Sequence, residues 1–354
     1  TLANLPQLDF EVALDLQNYP VCNQWFRGDK KQIMSGTSIE RNIILDTSGN
    51  ARHVRLYQKT PINVSDVHHK VTAPWCQVQT HYSIERREAL RNRAPARYID
   101  LLKSRRIDAM LDLADLLEAR AWATPSGADD DLNPRGLPYW ISFRENGVTS
   151  ATDDGGFSCY TVRYGGGTTT TTKGGIDGSA QTKWRNYGAV YDAINVDFVE
   201  RMRRAFHATG FVSPILVSDL NKGPASKYRI YMGLDQLVAY ESLVTSANDN
   251  LGRDLDPFHG MTTFRRVPII YTPTLDDLTV IDGGSNEASP EPVYGVNHNK
   301  FFPFVQEGDW MREDGPIRDV EQNNVNTTFV DGSYNYFCTN VRESGFVLHK
   351  TIPS

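Results

Sequence analysis

Cysteine is scarce in this chain. Four occur in 354 residues, Cys22, Cys76, Cys159 and Cys338, and no two of them form a CxxC pair. Structural zinc sites use closely spaced ligand pairs, and disulfide scaffolds are short and cysteine-dense, so neither device organises this fold. Four free thiols in a reducing compartment are expected. Long apolar runs are also missing. No stretch of 18 or more apolar residues occurs, so no transmembrane helix is predicted and no membrane partner is expected. Thr1 to Asp15 has no basic region followed by an apolar stretch and does not read as a secretory signal. Positive charge is not in excess either. Lys and Arg number 37 against 43 Asp and Glu, a net charge of −6. That balance argues against a protein that coats nucleic acid over its whole surface, while leaving room for a local basic patch.

Catalytic spacings are absent too. There is no GxSxG nucleophile elbow and no HExxH zinc helix. His68 and His69 are adjacent, so on a strand they point to opposite faces and do not chelate together. Asp129, Asp130 and Asp131, and Asp153 with Asp154, lack the glycine and distal glutamate of a calcium loop and read as solvated loop charges. Gly165–Gly167 and Gly174–Gly175 are followed by threonines or no helix signal rather than by the lysine and helix of a phosphate cradle. No catalytic residue, metal site or cofactor is predicted.

What the chain does contain is a sequence of structural elements. Residues 1–38 are irregular and read as an arm that packs along something else. Ser38 to Leu45 and Ala51 to Tyr57 flank Asp46–Asn50, which predicts a hairpin with a five-residue loop. Each strand is poor in apolar residues, so the hairpin is expected to project and find a partner. Residues 83–123 read as the strongest helix, its main part running from Pro95 to Trp122. Its apolar stripe is predicted as Ile99, Leu102, Ile107, Met110, Leu111, Ala114, Leu117 and Ala121. Residues 124–190 are rich in Gly and Thr and predict an exposed, mobile surface insertion at 155–180.

Beyond it, Asn195 caps a helix with stripe Val196, Val199, Met202, Phe206, ended by Gly210. Strands are predicted at Pro214–Val217, Tyr228–Met232, Phe264–Thr272 and Leu278–Ile281, with a helix at Leu234–Thr245. The last sixty residues are short aromatic and β-branched strands that need a partner sheet. The order predicts an α+β fold with mostly antiparallel strands.

One charge feature stands out. From Arg86 to Arg106 the long helical region is basic, and past Ile107 it turns acidic with Asp108, Asp112, Asp115 and Glu118. Either this is a solvated face, or its basic end meets a neighbouring chain or nucleic acid. Arg41, Arg55, Tyr57, Arg97, Lys103, Arg105 and Arg106 are the candidate residues for subunit contacts or for facing DNA.

Four stretches carry a resemblance: Val71–Trp75; Trp184–Tyr187 with the helix at Asp197–Thr209; Phe264–Thr274; and Asn297–Leu348. In this order, with the arm, projecting loop and long helix, the chain resembles the major capsid proteins of tailed bacteriophages with the Hong-Kong-97-type fold. The Gly/Thr insertion has no counterpart in that pattern. The resemblance implies an N-terminal arm over 1–37, an extended loop over 38–80 and a peripheral domain over 81–190 with a spine helix at about 95–122. It further implies an axial domain over 191–295, return strands of the peripheral domain over 296–333 and a C-terminal axial strand over 334–354.

It also implies a non-enzymatic shell protein of the virion, assembled in the host cytoplasm into hexamers and pentamers around double-stranded DNA. Scaffolding, portal and decoration proteins are its candidate partners. An encapsulin-like nanocompartment shell and a soluble α+β enzyme are the alternatives; a cargo-binding groove would mark the first, a cleft with a perturbed acid, base and nucleophile the second.

Overall fold

The computed structural model describes residues 19–34, 36–46, 49–59, 67–91, 95–145, 155–210, 227–247, 262–265, 267–276, 280–282, 286–288, 290–318 and 324–350. A π-helical segment, Val21–Asp29, leads into β1 (Lys31–Ile33). Strands β2 (Ser38–Ile44) and β3 (His68–Pro74) pair, and β4 (Cys76–Glu85) runs into α1 (Arg86–Arg91) and α2 (Pro95–Ala121). The single turn α3 (Leu137–Trp140) precedes four two-residue strands: β5 (Val162–Arg163), β6 (Thr169–Thr170), β7 (Thr172–Lys173) and β8 (Ile176–Asp177). Then come β9 (Tyr187–Val190), α4 (Val196–Ala208), β10 (Tyr228–Met232), α5 (Leu234–Ala247), β11 (Thr263–Phe264), β12 (Val267–Tyr271), β13 (Val280–Asp282) and β14 (Asn286–Ala288). The last described strands are β15 (Val293–Asn297), β16 (Phe301–Gln306), β17 (Arg312–Arg318), β18 (Val325–Cys338) and β19 (Gly345–His349).

Two sheets organise these elements. In the first, β18 is the axis. One of its edges pairs along Val325–Tyr334 with β4, and the other pairs first with β17 and then with β16. Strand β1 adds to β16 in parallel. The second sheet has the order β11-β12-β10-β15-β19-β9. Its β10–β12 and β19–β9 pairs are parallel and the rest antiparallel, so it is more mixed than the sequence suggests. Every residue of β15 and β19 is buried, because both faces of this sheet are covered. Phe198, Met202 and Phe206 of α4 and Tyr240 of α5 cover one face. Tyr231, Tyr294 and Val347 point the other way, into an aromatic core shared with the first sheet.

Trp25 is the centre of that core. It is fully buried and lies 5.2–5.8 Å, centroid to centroid, from Trp122, Tyr231, His298, Phe301 and Tyr336. Its indole N–H donates to the Tyr231 hydroxyl at 2.7 Å. An aromatic ring buried this way contributes on the order of 4–6 kcal/mol before entropy is counted.

Several expectations change. From Val21 onward the N-terminal segment is core rather than an arm laid on something else: Val21, Trp25 and Phe26 are buried in this chain's own body. The partner of β2 is β3, not residues 51–57, with Ser38 opposite Pro74 and Ile44 opposite His68. The register follows burial, since Ile39, Val71 and Ala73 are fully buried at the base of the hairpin. Residues 83–85 belong to β4 and not to a helix. The buried row of α2 is Ala109, Leu113, Leu117 and Ala121, a strict i, i+4 series, while Ile107 is exposed. Phe264–Thr272 is two strands with a turn at Arg265, whose φ is +50°.

The Gly/Thr region is not a surface insertion throughout. Gly165 and Gly166 are exposed, but Val162, Lys173, Gly174, Ile176 and Gly178 are buried. Gly174 sits at φ +58°, and its carbonyl accepts the amide of Thr72 at 2.9 Å. A Cβ there would come within 2.6 Å of Val71 Cγ1 and 2.9 Å of the Trp140 ring, so glycine lets this loop clamp the base of the β2–β3 hairpin. The tail strands find their company within the chain, β15 and β19 in one sheet and β16–β18 in the other. Strand Tyr228–Met232 and the Asn195-capped helix lie where the sequence puts them, with the Asn195 side chain accepting the Phe198 amide at 3.1 Å. The strand predicted at Pro214–Val217 and residues 1–18 lie outside the described residues.

Candidate functional site

Among the described residues, no three or more His, Cys, Asp or Glu side chains gather to hold a metal ion, and no helix is long and apolar enough to cross a membrane. The titratable groups that do converge are buried. Asp29 closes the π-helical segment, and its carboxylate meets Arg229 of β10 at 2.6 Å and Lys227. His298 stands 3.7 Å from Asp29 and contacts the Tyr231 hydroxyl at 2.9 Å. Burial, and then the charges of Arg229 and Lys227, hold His298 well below the usual histidine range, so it is neutral. Glu118 of α2 accepts the Val21 amide and the Trp122 indole N–H, each at 3.0 Å. Burial pushes its carboxyl up to about 7. It is a buried tie to the N-terminal segment, not part of the solvated face expected from the sequence.

Lys173 is the other buried ion. Its Nζ donates to Ser142 Oγ at 2.7 Å, Asn186 Oδ1 at 2.8 Å and the carbonyls of Trp140 and Cys159 at 3.2 Å each. Burial brings its pKa down to about 7. With acceptors on all sides and no carboxylate among them, it braces β7 against α3 and the turn before β9. Among the described residues, the grooves of the surface are lined by other side chains than these. Asp130 braces a loop in a different way, accepting from Ser126, Leu132 and Asn133.

The surface features point outward. The end of β2 and the connection from it to β3 carry Ile44, Val54, Leu56 and Tyr57 in exposed positions, Tyr57 at 98%. Arg55 and Gln58 close a turn here, with the Gln58 amide donating to the Arg55 carbonyl at 3.1 Å and Gln58 Oε1 accepting the Arg55 amide at 2.9 Å. Arg41 is exposed with its guanidinium 5.8 Å from the Phe304 ring. Lys103 is exposed on α2, and the Arg97 side chain lies outside the described residues.

Arg105 and Arg106 find ion-pair partners on their own chain. Arg105 donates to the Ser83 carbonyl at 2.8 Å and to Glu88 at 2.7 Å, and Arg106 pairs with Glu313 of β17. Within the chain they tie α2 to α1, β4 and β17, and the Arg106 side chain stays about half exposed. The structure thus keeps Arg105 and Arg106 together near the middle of α2, while Arg41 belongs to the β2–β3 hairpin and Arg55 and Tyr57 to the connection between its strands. A further basic feature, outside the candidate residues above, is a groove of about 830 Å³ between α4 and the edge strand β9. Four arginines line it, Arg144, Arg201, Arg203 and Arg204, against two carboxylates, Asp197 and Glu200. The signal was available as the run Arg201–Met202–Arg203–Arg204 on a helix whose buried stripe is Phe198, Met202, Ala205 and Phe206.

No family model matches the chain, and no curated protein matches it. Solved structures do. The chain is similar to one from the cyanophage A-1(L) capsid asymmetric unit, at 13% identity and TM-score 0.61, with 96% of this chain and 95% of that one covered. The capsid of a native GTA particle aligns at 10% identity and TM-score 0.53 over 98% and 95% of the two chains. The cyanophage Pam1 capsid asymmetric unit aligns at 14% identity and TM-score 0.51 over 99% and 97%. At these identities the likeness is one of fold: the chain has the mixed α/β fold of phage capsid chains, over nearly its whole length.

Proposed function

We propose that this chain is a structural shell subunit, the major capsid protein of a tailed bacteriophage, which assembles with copies of itself into a closed icosahedral head around double-stranded DNA. In this reading the arrangement is of the Hong-Kong-97 type. Residues before Val21 are the arm, 38–80 the extended loop and α2 the spine helix. Residues 81–190 and 296–333 make the peripheral domain, and 191–295 and 334–354 the axial domain. The protein performs no chemistry, and its place is the virion.

The observation that carries the reading is the β2–β3 hairpin. Its base is fixed in the core by Ile39, Val71 and Ala73, while Ile44, Val54, Leu56 and Tyr57 beyond it stay exposed. A chain that spends core contacts to hold an apolar projection in water has a partner for it. The fold shared with capsid chains supplies the partner's identity, a second copy. Obligate contacts of this kind bury on the order of 2,000–5,000 Å².

The test replaces residues 44–68 by a short turn and compares size distributions. The reading expects a folded variant that stays small under conditions where the parent forms megadalton particles. Particles of normal size and yield from the variant overturn it.

A further inference from the structure

We infer that the arginine groove between α4 and β9 is a subunit-docking site, and that its occupant is the acidic loop 126–133 of a second copy of this chain. The inference rests on the shell-subunit reading and adds a specific contact to it.

The groove has an apolar floor and basic walls. Tyr187, Gly188 and Ala189 of β9 form the floor. Arg203 and Arg204 are both exposed along α4, and Arg144 lines the groove with them. Arg201 is already committed, to Asp197 at 2.7 Å and to the Val190 carbonyl at 2.6 Å. The positive charge offered to a partner is therefore that of Arg203 and Arg204. A nucleic acid is the poorer occupant. Asp197 and Glu200 stand among the arginines and repel a phosphate track, and the chain as a whole carries −6.

The loop 126–133 has the complementary features. Asp129 and Asp131 are exposed, and Leu132 between them and Asn133 is 86% exposed. The loop holds this shape before any partner arrives. Asp130 Oδ2 accepts from the Ser126 amide at 2.8 Å, Ser126 Oγ at 2.7 Å and Asn133 Nδ2 at 2.8 Å, and Oδ1 accepts from the Leu132 amide at 3.0 Å. Slight burial pushes the Asp130 carboxyl upward, and the hydrogen bonds from Asn133 and Ser126 overcome this and hold it far below the usual range, so it stays ionised as a brace. The loop is also pinned at its start, where Gly165 and Gly166 donate to the carbonyls of Pro125 and Ser126.

A rigid loop loses little entropy on docking. Leu132 matches the apolar floor, and Asp129 and Asp131 match Arg203 and Arg204. Within one chain the loop is anchored beside β3 and β18, through Arg135 bonding Thr72 and Asn335. The groove lies at β9, an edge strand of the other sheet. The inferred pairing is between copies.

A charge swap tests it in the full-length protein. Three variants are compared with the parent: Asp129→Lys/Asp131→Lys, Arg203→Glu/Arg204→Glu, and all four together. Particle yield is read by light scattering and sedimentation, and fold by melting temperature. Each reversal alone is expected to lower particle yield about tenfold or more with little change in melting, and the fourfold variant to recover most of it. If a reversal lowers melting, the neutral pairs Asp129→Asn/Asp131→Asn and Arg203→Gln/Arg204→Gln are used. Their effects on yield are then expected to be strongly non-additive.

Parent-like yield from either reversal, or no recovery in a folded fourfold variant, overturns the inference. So does a result in which the arginine reversals reduce DNA retention while leaving DNA-free assembly intact, which would assign the groove to nucleic acid. A parent that forms no particles at all overturns instead the shell reading on which the inference stands.

Discussion

Asp29 and Arg229 are 200 positions apart in the chain, yet their carboxylate and guanidinium meet at 2.6 Å with almost no solvent access to either. This contact fastens the end of the N-terminal segment to β10, in the second sheet. Lys227 reaches the same carboxylate from the protein surface. A buried pair is weak evidence of net stabilisation, but removing one member leaves an uncompensated charge in the core.

Asp29→Ala is therefore expected to lower stability by about 3–5 kcal/mol, and Asp29→Asn by less, since the amide oxygen keeps one acceptor for Arg229. Denaturant unfolding of the two variants checks this. A midpoint for the alanine variant equal to that of the parent would show that the cluster holds nothing.

Gly174 predicts an outcome opposite to the one its neighbourhood suggests on paper. A segment dense in Gly and Thr reads as dispensable. Here Gly174→Ala should destabilise by about 1–3 kcal/mol, because φ +58° and the close Val71 and Trp140 contacts leave no room for a methyl group. Thermal melts of the alanine variant and of a loop shortened between Gly166 and Gly174 both test it. A loop deletion that melts like the parent would return the segment to the status of a surface insertion.

Glu118 makes stability depend on pH in a definite direction. Its folded pKa, about 7, lies above the unfolded carboxylate value, so between roughly pH 4.5 and 7 the folded state binds the extra proton. Stability from this group is present at the acid end of that window and is lost as pH rises through 7. Glu118→Gln removes the titration. Relative to the parent, the variant should gain up to about 3 kcal/mol between pH 5 and pH 8. His298 and His349 act in the opposite sense, since burial lowers both pKa values, His349 to about 4, and stability from them is lost as pH falls. Subtracting variant from parent at each pH isolates Glu118, and a difference that does not change with pH would refute the assignment.

How much of this was legible in the sequence depends on range. The helix capped by Asn195 and the strand Tyr228–Met232 were readable because their signals are local: a cap, a 3.6-residue stripe, an apolar run between breakers. The α2 stripe was read correctly at Leu117 and Ala121 and missed Ala109 and Leu113, because Ile and Met were weighted over them, although the Ala109 carbonyl accepts from Thr80 of β4. The hairpin partner was misassigned because both 51–57 and 68–74 can lie opposite β2. What decides is whether Val71 and Ala73 find a core, and that core comes from residues such as Trp140 and Ile176 far along the chain. Arg105 and Arg106 announced a basic stretch of the helix, while the carboxylates they pair with, Glu88 and Glu313, are 17 and 207 positions away. The Asp29 cluster gave no signal at all, since neither partner has a neighbour in sequence that hints at the other.

The central claim, that this chain is the subunit of a closed shell, is tested most directly by electron microscopy of the purified full-length protein with particle averaging. The account predicts closed particles of uniform diameter with fivefold vertices, in which residues 44–59 of each subunit lie on an adjacent copy. A population of single chains that does not associate as concentration and salt are varied, with Ile44, Leu56 and Tyr57 remaining in water, would contradict it.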